Sequence, residues 1–215
     1  MKLIDILIPK SLKILNSKFN KNIEIFFGVG EPTLIVDGLV ESGFLLTHIW
    51  KTGIKNLLPK TFKPKTILIL GLGGGSNTKL VSRYFPEAQI TAVEIDDQMV
   101  EIAQKYYGLD KVKNLKIIIA DAEEYARNLK LAHPAGGSEK FDLILVDCFV
   151  GKSIPQALQK MSFIKDLYAH GKYVLINRIW YNEHHLETVF FLRELAQHFF
   201  FLRTGTKTNV IVSLI

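Results

Sequence analysis

The sequence predicts an α/β protein, a seven-stranded sheet with helices on both faces and an antiparallel last pair, preceded by a small N-terminal β-hairpin region. Three observations carry this. From residue 66 onward, strand-length apolar runs alternate with segments of helical periodicity, the pattern of βαβ units. The aliphatic run Ile67-Leu68-Ile69-Leu70 stops at a glycine cluster, Gly71-Leu72-Gly73-Gly74-Gly75, and a helical pattern follows. The last two apolar runs, "FFFLRTG" and "NVIVSLI", are joined through Gly205-Thr206-Lys207-Thr208, too short a link for a parallel crossover, so they pair antiparallel.

Taken in order, "IEIFFGVGEPTLIVDG" reads as two β-rich segments joined by Gly28-Val29-Gly30-Glu31-Pro32, a hairpin with a longer loop. "FLLTHIWKTGIKNLL" has apolar residues at helical spacing and ends near Pro59. "TFKPK" connects it to the first sheet strand, "TILILGLG", which is followed by the helix "TKLVSRYF", stopped by Pro86. "AQITAVEI" is the second strand, and "DQMVEIAQKYYG" a helix with Asp96 or Asp97 as N-cap and Gly108 at its end. "LKIIIAD" and "FDLILVDCF" are the next strands, separated by the helix "AEEYARNLKL" and a loop, "HPAGGSEK". The helical stretch "PQALQKMSFIKDLYAHG", the strand "KYVLINRI" and the helix "EHHLETVFFLRELAQHF" lead into the closing pair. The expected division is an appendage over 1–65 and a Rossmann-like domain over 66–215.

Composition narrows the class. Hydrophobic residues make up 48% and charged residues 22%, an ordinary globular balance. No apolar run approaches the ~18 residues of a membrane span. The start, "MKLIDILIPKSLKIL", carries Asp5 and Pro9 within its apolar part and lacks a small-residue cleavage site, so it does not read as a signal peptide. Cys148 is the single cysteine, which rules out an intrachain disulfide and suits a reducing cytoplasm. Residues 1–65 hold ten lysines against five acids, while residues 66–215 hold seventeen basic against sixteen acidic residues. A solvated lysine-rich surface and an acidic or phosphate-bearing partner both fit this excess; the lack of arginine there argues against base recognition of a nucleic acid.

The chemistry is expected at the carboxyl ends of the strands, where doubly wound sheets bind ligands. Gly71, Gly73 and Gly75 form G-x-G-x-G, with Ser76 where a dinucleotide fingerprint has glycine or alanine. Such a turn either lets backbone N–H groups approach a ligand or merely packs strand against helix. Glu94 ends the second strand nineteen positions after Gly75, where an acid accepts hydrogen bonds from a ribose diol. Asp121 ends the third strand, placed to accept from an adenine amino group with the N–H of Ala122 beside it, or simply to cap the next helix. Together these positions describe an adenosine site.

The glycine turn, "VEID", "ADA" and "FDLILVD" at these spacings resemble the class I S-adenosylmethionine-dependent methyltransferases, and more closely the spermidine synthase (polyamine synthase) family, over about residues 25–190. "LIVDGLVESG" is similar to that family's N-terminal hairpin, with Glu41 where glutamine is usual. The resemblance implies that Gly71, Gly73 and Gly75 line the cosubstrate's tail, that Glu94 and the adjoining Ile95 take the ribose side, and that Asp121 with Ala122 takes the adenine. It implies that Asp147 sits by the sulfonium as the catalytic acid, with Phe149 beside it toward the acceptor. The cosubstrate implied is S-adenosylmethionine or its decarboxylated form, and the acceptor a small molecule such as an amine. The oligomeric state stays open, with the N-terminal hairpin a candidate surface for a homodimer because an isolated two-stranded ribbon is rarely self-sufficient.

Two departures bear on the chemistry. The aminopropyltransferase glycine loop reads GGGDGG, and its aspartate suits a free amine tail; here that position is Gly74, which leaves backbone donors for a carboxylate. The family's acceptor loop, D-S-x-D-P, is here Asp147-Cys148-Phe149-Val150-Gly151, so the second acid is Val150. An amine of pKa near 10 is mostly protonated at neutral pH, and freeing it costs about 4 kcal/mol, so an enzyme that alkylates it needs acids. The run "DCFVGKSIPQALQKMSF" is similar to the spermidine synthase-like branch regarded as methyltransferase-like. The sequence therefore favours S-adenosylmethionine and methyl transfer, with aminopropyl transfer, a non-catalytic nucleoside-binding relative and a nucleic-acid methyltransferase as the other readings. Asn177, Trp180 and Tyr181 are expected to wall the acceptor pocket or to end a strand and pack; His184 and His185 are expected to be exposed at a helix start. The histidines and the cysteine have no close metal-ligand spacing, and Cys148 reads as a small apolar residue.

Overall fold

The computed structural model describes residues 10–14, 17–28, 30–131 and 140–214. The first nine residues, including the start that does not read as a signal peptide, and nearly all of the loop expected at 133–140 lie outside the described residues.

The N-terminal region is a four-stranded antiparallel sheet, β1 (Lys10–Ile14), β2 (Ile23–Phe27), β3 (Thr33–Val36) and β4 (Leu39–Ser42), in that order. The expected hairpin is the β2–β3 pair. A second hairpin, β3–β4, turns at Asp37-Gly38, both with positive φ (49° and 86°). An Asp-Gly pair between apolar residues is a strong two-residue hairpin signal, and this is the hairpin within "LIVDGLVESG" that the family resemblance implied. Ile23, Ile25, Leu34 and Val36 are buried against helix α1 (Phe44–Leu57) and the larger core.

The seven-stranded sheet contains β5 (Thr66–Leu70), β6 (Gln89–Glu94), β7 (Leu115–Ile119), β8 (Phe141–Val146), β9 (Gly171–Ile179), β10 (Phe201–Gly205) and β11 (Asn209–Leu214), in the order β10-β11-β9-β8-β5-β6-β7. The first five are parallel; β11 runs antiparallel between β9 and β10. Two apolar layers cover the faces. Ile67, Ile69, Leu143 and Leu145 face α1, α2 (Ser76–Tyr84) and α3 (Asp97–Tyr107); Leu68, Leu70, Ile144 and Val146 face α4 (Ala122–Leu131), α5 (Met161–His170) and α6 (His184–Leu195). Strands buried on both faces read as unbroken aliphatic runs for this reason.

Helix α1 lies on the sheet itself, and a methyl at Gly53 would come within 3.0 Å of Ile211. Asp96 caps α3 by accepting from the Gln98 amide at 3.1 Å, and Gly108 ends it with φ 69°. The stretch expected as one helix after Pro155 divides into a short 3₁₀ turn (Gln156–Gln159) and α5.

Candidate active site

The order reversal in the sheet falls beside β5, where β6 and β8 run on either side, and most of the candidate site residues gather at the carboxyl ends of these three strands. Gly71, Gly73, Val93, Glu94, Ile95, Met99, Ala120, Asp121, Ala122, Asp147, Cys148, Phe149 and Val150 border one cavity. A second cavity is bordered by β4, the start of α1, Asp147, Phe149, Asn177, Ile179, Tyr181, Thr208 and Asn209. Glu41, Asp147 and Phe149 belong to both, so the two adjoin. Their volumes, about 90 and 50 Å³, are smaller than the ~300 Å³ of an ordinary ligand pocket.

Glu94 is buried and organises the glycine turn. Its Oε2 accepts from the amides of Leu72 (2.9 Å) and Gly73 (3.1 Å), and its Oε1 from those of Ile95 (2.9 Å) and Asp96 (3.1 Å). Burial raises its pKa, and the amides of Asp96, Gly73 and Leu72 pull it back. The glycines are required first by the chain's own packing. A side chain at Gly71 would overlap the Asp147 carbonyl, and one at Gly75 would run into Leu109. One at Gly74 would lie 2.6 Å from Ser42. The Gly71 and Gly75 amides bond the carbonyls of Val93 and Leu72. The amides at positions 71, 72, 73 and 75 are thus paired within the protein.

Asp147 ends β8 and is buried, with three donors around it. Trp50 Nε1 (2.7 Å) and Asn77 Nδ2 (3.2 Å) donate to Oδ2, and Asn177 Nδ2 (2.8 Å) donates to Oδ1. Asn209 donates in turn to Asn177 at 3.0 Å. Burial raises the Asp147 pKa while the three side-chain donors lower it. Such a clamp fixes both the rotamer and the orientation of the carboxylate.

Asp121 borders the first cavity, and its Oδ1 also accepts from the Glu123 and Glu124 amides (2.8 and 3.0 Å), so it caps α4 as well. Phe149, Asn177 and Tyr181 line the second cavity, but Trp180 lines neither; its ring packs edge-on against His185 at 4.4 Å. His184, expected to be exposed, is buried beside Glu183 and Glu187. Burial, with the charges of Glu94 and Asp147 after it, pushes the Cys148 thiol well up, which disfavours the thiolate a nucleophile needs.

The sequence reading missed Trp50 and Asn77, because Trp50 sits on the apolar side of α1 and reads as core, and Asn77 is a first-turn residue of α2 with nothing local to mark its distant partner. Asn20 was also missed: it donates to Asp96 at 2.6 Å and accepts from the Gly151 amide at 3.2 Å, joining the N-terminal region to the site loops. Ser76, where a dinucleotide turn has glycine, accepts from the Gly43 amide at 2.8 Å and pins the β4–α1 junction to the glycine turn.

This strand order, with a glycine turn and acids at the strand ends, defines the class I methyltransferase fold. A family model described as spermine/spermidine synthase domain matches residues 45–204, and the chain belongs to that family. It is 35% identical over 104 residues to a polyamine aminopropyltransferase of Vibrio vulnificus, covering 48% of this chain and 33% of that protein. It is 34% identical over 124 residues to the eEF1A lysine and N-terminal methyltransferase of Mus musculus, covering 54% of this chain and 17% of that one. The chain therefore spans less than half the length of these curated relatives.

Among solved structures, human methyltransferase-like protein 13 in complex with SAH superposes with a TM-score of 0.59 at 26% identity, covering 70% of this chain and 71% of that one. Spermidine synthase from Thermotoga maritima superposes with a TM-score of 0.68 at 18% identity, covering 97% and 72%, and shares the fold.

Proposed function

We propose that the protein transfers an alkyl group from an adenosine-linked sulfonium compound to an amine nitrogen. The observation that carries this is the charge of the cleft. Glu41, Glu94 and Asp147 border the two adjoining cavities, and no Lys, Arg or His lines either among the described residues. A pocket of carboxylates without cations suits a sulfonium and an ammonium, both positive. The names of the relatives agree: polyamine, protein lysine and protein N-terminus are all amines.

In this reading Glu94 and Asp121 hold the nucleoside and the clamped Asp147 faces the sulfonium. The amine lone pair attacks the carbon on sulfur in line, the C–S bond breaks, and its electron pair stays on sulfur as a neutral thioether. The protein's contribution is orientation and a preorganised negative charge.

S-adenosylmethionine and methyl transfer form the first reading, supported by the space at Gly74. Ser42 and Tyr107 fill the place where an aminopropyltransferase aspartate would stand. Aminopropyl transfer is the second, favoured by a separate observation: the Leu72 and Gly73 amides are held by Glu94, and no cation among the described residues lines the cleft to meet a carboxylate tail.

Thermal unfolding with S-adenosylmethionine, its decarboxylated form, S-adenosylhomocysteine and methylthioadenosine ranks the cosubstrates. Saturation at a hundred times Kd adds about 2.7 kcal/mol. Turnover with putrescine and with a lysine-containing peptide then separates the two transfers. If none of these adenosyl compounds stabilises the protein, the proposal fails.

A further inference from the structure

Two acids of the cleft stand in opposite environments. Asp147 accepts from three side-chain donors. Glu41, on β4, borders the same two cavities, yet its carboxylate accepts no hydrogen bond from the described residues. Its backbone carbonyl lies 3.1 Å and its Oε2 3.8 Å from the position a methyl on Gly73 would occupy, so the carboxylate reaches the glycine turn from the N-terminal sheet. The titratable groups around it are Asp147 and Cys148 after β8, Glu94 at the end of β6, Asp121 after β7 and Tyr181 after β9; none of them is cationic. Val150, where the family has its second acceptor-loop acid, borders the first cavity and brings no charge.

We propose that Glu41 is the general base of the transfer, the group that takes the proton from the acceptor's ammonium, while Asp147 remains the fixed charge beside the sulfonium. This rests on the amine reading above. The proton moves from R–NH₃⁺ to the Glu41 carboxylate, giving R–NH₂ and a neutral carboxylic acid. The freed lone pair then forms the N–C bond as the C–S bond breaks, leaving a neutral thioether and a protonated secondary amine. Glu41 returns its proton to solvent when the products leave.

The physical reason for assigning the roles this way round is the contrast in environment. Burial first, then the charges of Asp147 and Glu94, push the Glu41 pKa well above the ordinary carboxylate range. A proton acceptor works best when its pKa approaches the working pH, and two carboxylates whose surroundings drive them apart take different roles. The second acid missing from the acceptor loop is thereby supplied from β4.

The test compares the full chain with Glu41→Gln and Glu41→Asp, using S-adenosylmethionine and its decarboxylated form with putrescine and a lysine-containing peptide. Glu41→Gln should lower kcat about 10²- to 10⁴-fold at neutral pH, with S-adenosylhomocysteine affinity within about threefold of wild type. Its remaining rate should climb about tenfold per pH unit from about 7 to 9, as the amine loses its proton unaided. The wild-type rate should be flat there, and Glu41→Asp should recover part of the loss.

A Glu41→Gln rate and pH profile matching wild type would overturn the proposal, as would a loss of S-adenosylhomocysteine affinity with no change in profile. Failure of the amine reading looks different: wild type binds an adenosyl compound and turns over neither amine. In that case a ¹³C-carboxylate titration of the ligand-free protein still tests the assignment. Glu41 titrating above Asp147 supports it for another proton-bearing nucleophile, and the reverse order overturns it.

Discussion

Replacing Trp50 with phenylalanine isolates the clamp on Asp147. Trp50 is fully buried between α1 and the sheet, and its only polar atom donates to Asp147 Oδ2 at 2.7 Å. Phenylalanine keeps an aromatic ring in the site but removes the donor. A hydrogen bond to a charged group contributes about 1.5–3 kcal/mol, and the smaller ring adds a cavity cost of about 1 kcal/mol. The expected loss is about 2.5–4 kcal/mol at pH 8, a large share of the roughly 5–15 kcal/mol that holds a domain together.

The loss should depend on pH in a definite direction. Asp147 already has a raised pKa in the folded state, so its charge costs stability as pH rises through that pKa. Removing a donor raises the folded pKa further. The variant's deficit is therefore complete above its new pKa and shrinks, as pH falls below the wild-type folded pKa, to the cavity cost alone. Equilibrium urea unfolding from pH 4 to 8 measures this, with an unchanged m-value confirming that the same surface is exposed. A deficit that is the same at every pH would refute the claim that Trp50 stabilises the ionised carboxylate.

Glu94→Gln leaves two of the four amides around it facing an NH₂ group, and should cost about 1–3 kcal/mol per orphaned donor; it should lower Tm as well as weaken adenosyl binding, and a calorimetric loss of affinity with unchanged Tm would contradict this. Glu41→Gln removes a half-buried charge that no donor among the described residues meets, so it should raise stability as pH climbs above the 4.5 of a free side chain and equal wild type below it, in the same unfolding series. Gly74→Asp, which restores the aminopropyltransferase residue, should lower Tm because its side chain meets Ser42 at 2.6 Å, and Ser42→Gly should recover part of the loss; a Gly74→Asp protein of wild-type Tm would show that the turn yields freely. Ser76→Ala orphans the Gly43 amide and should cost about 1–3 kcal/mol with faster amide exchange at the β4–α1 junction.

How far the sequence could be read divides along sequence distance. Strand and helix identities, the antiparallel closing pair, the Asp96 cap and the acids at the ends of β6, β7 and β8 all follow from patterns a few residues long. Apolar periodicity and turn chemistry are local, and short segments carry them in full. In this chain those patterns extended to the glycines and acids that border one cavity, because a parallel sheet places its strand ends together whatever the loops do.

The tertiary structure decided what those residues touch. Trp50 and Asp147 are ninety-seven positions apart and Asn77 seventy from Asp147, and no local pattern marks a core tryptophan or a helix asparagine as a donor to a distant carboxylate. The same holds for the glycines, whose missing side chains first make room for Asp147, Ser42 and Leu109. Trp180 and Tyr181 are neighbours in sequence, yet only Tyr181 reaches the cleft, because adjacent side chains at a strand end leave in different directions. The free carboxylate of Glu41 beside the clamped one of Asp147 exists only once β4 is folded over the glycine turn, since burial and the supply of donors are properties of the packed protein.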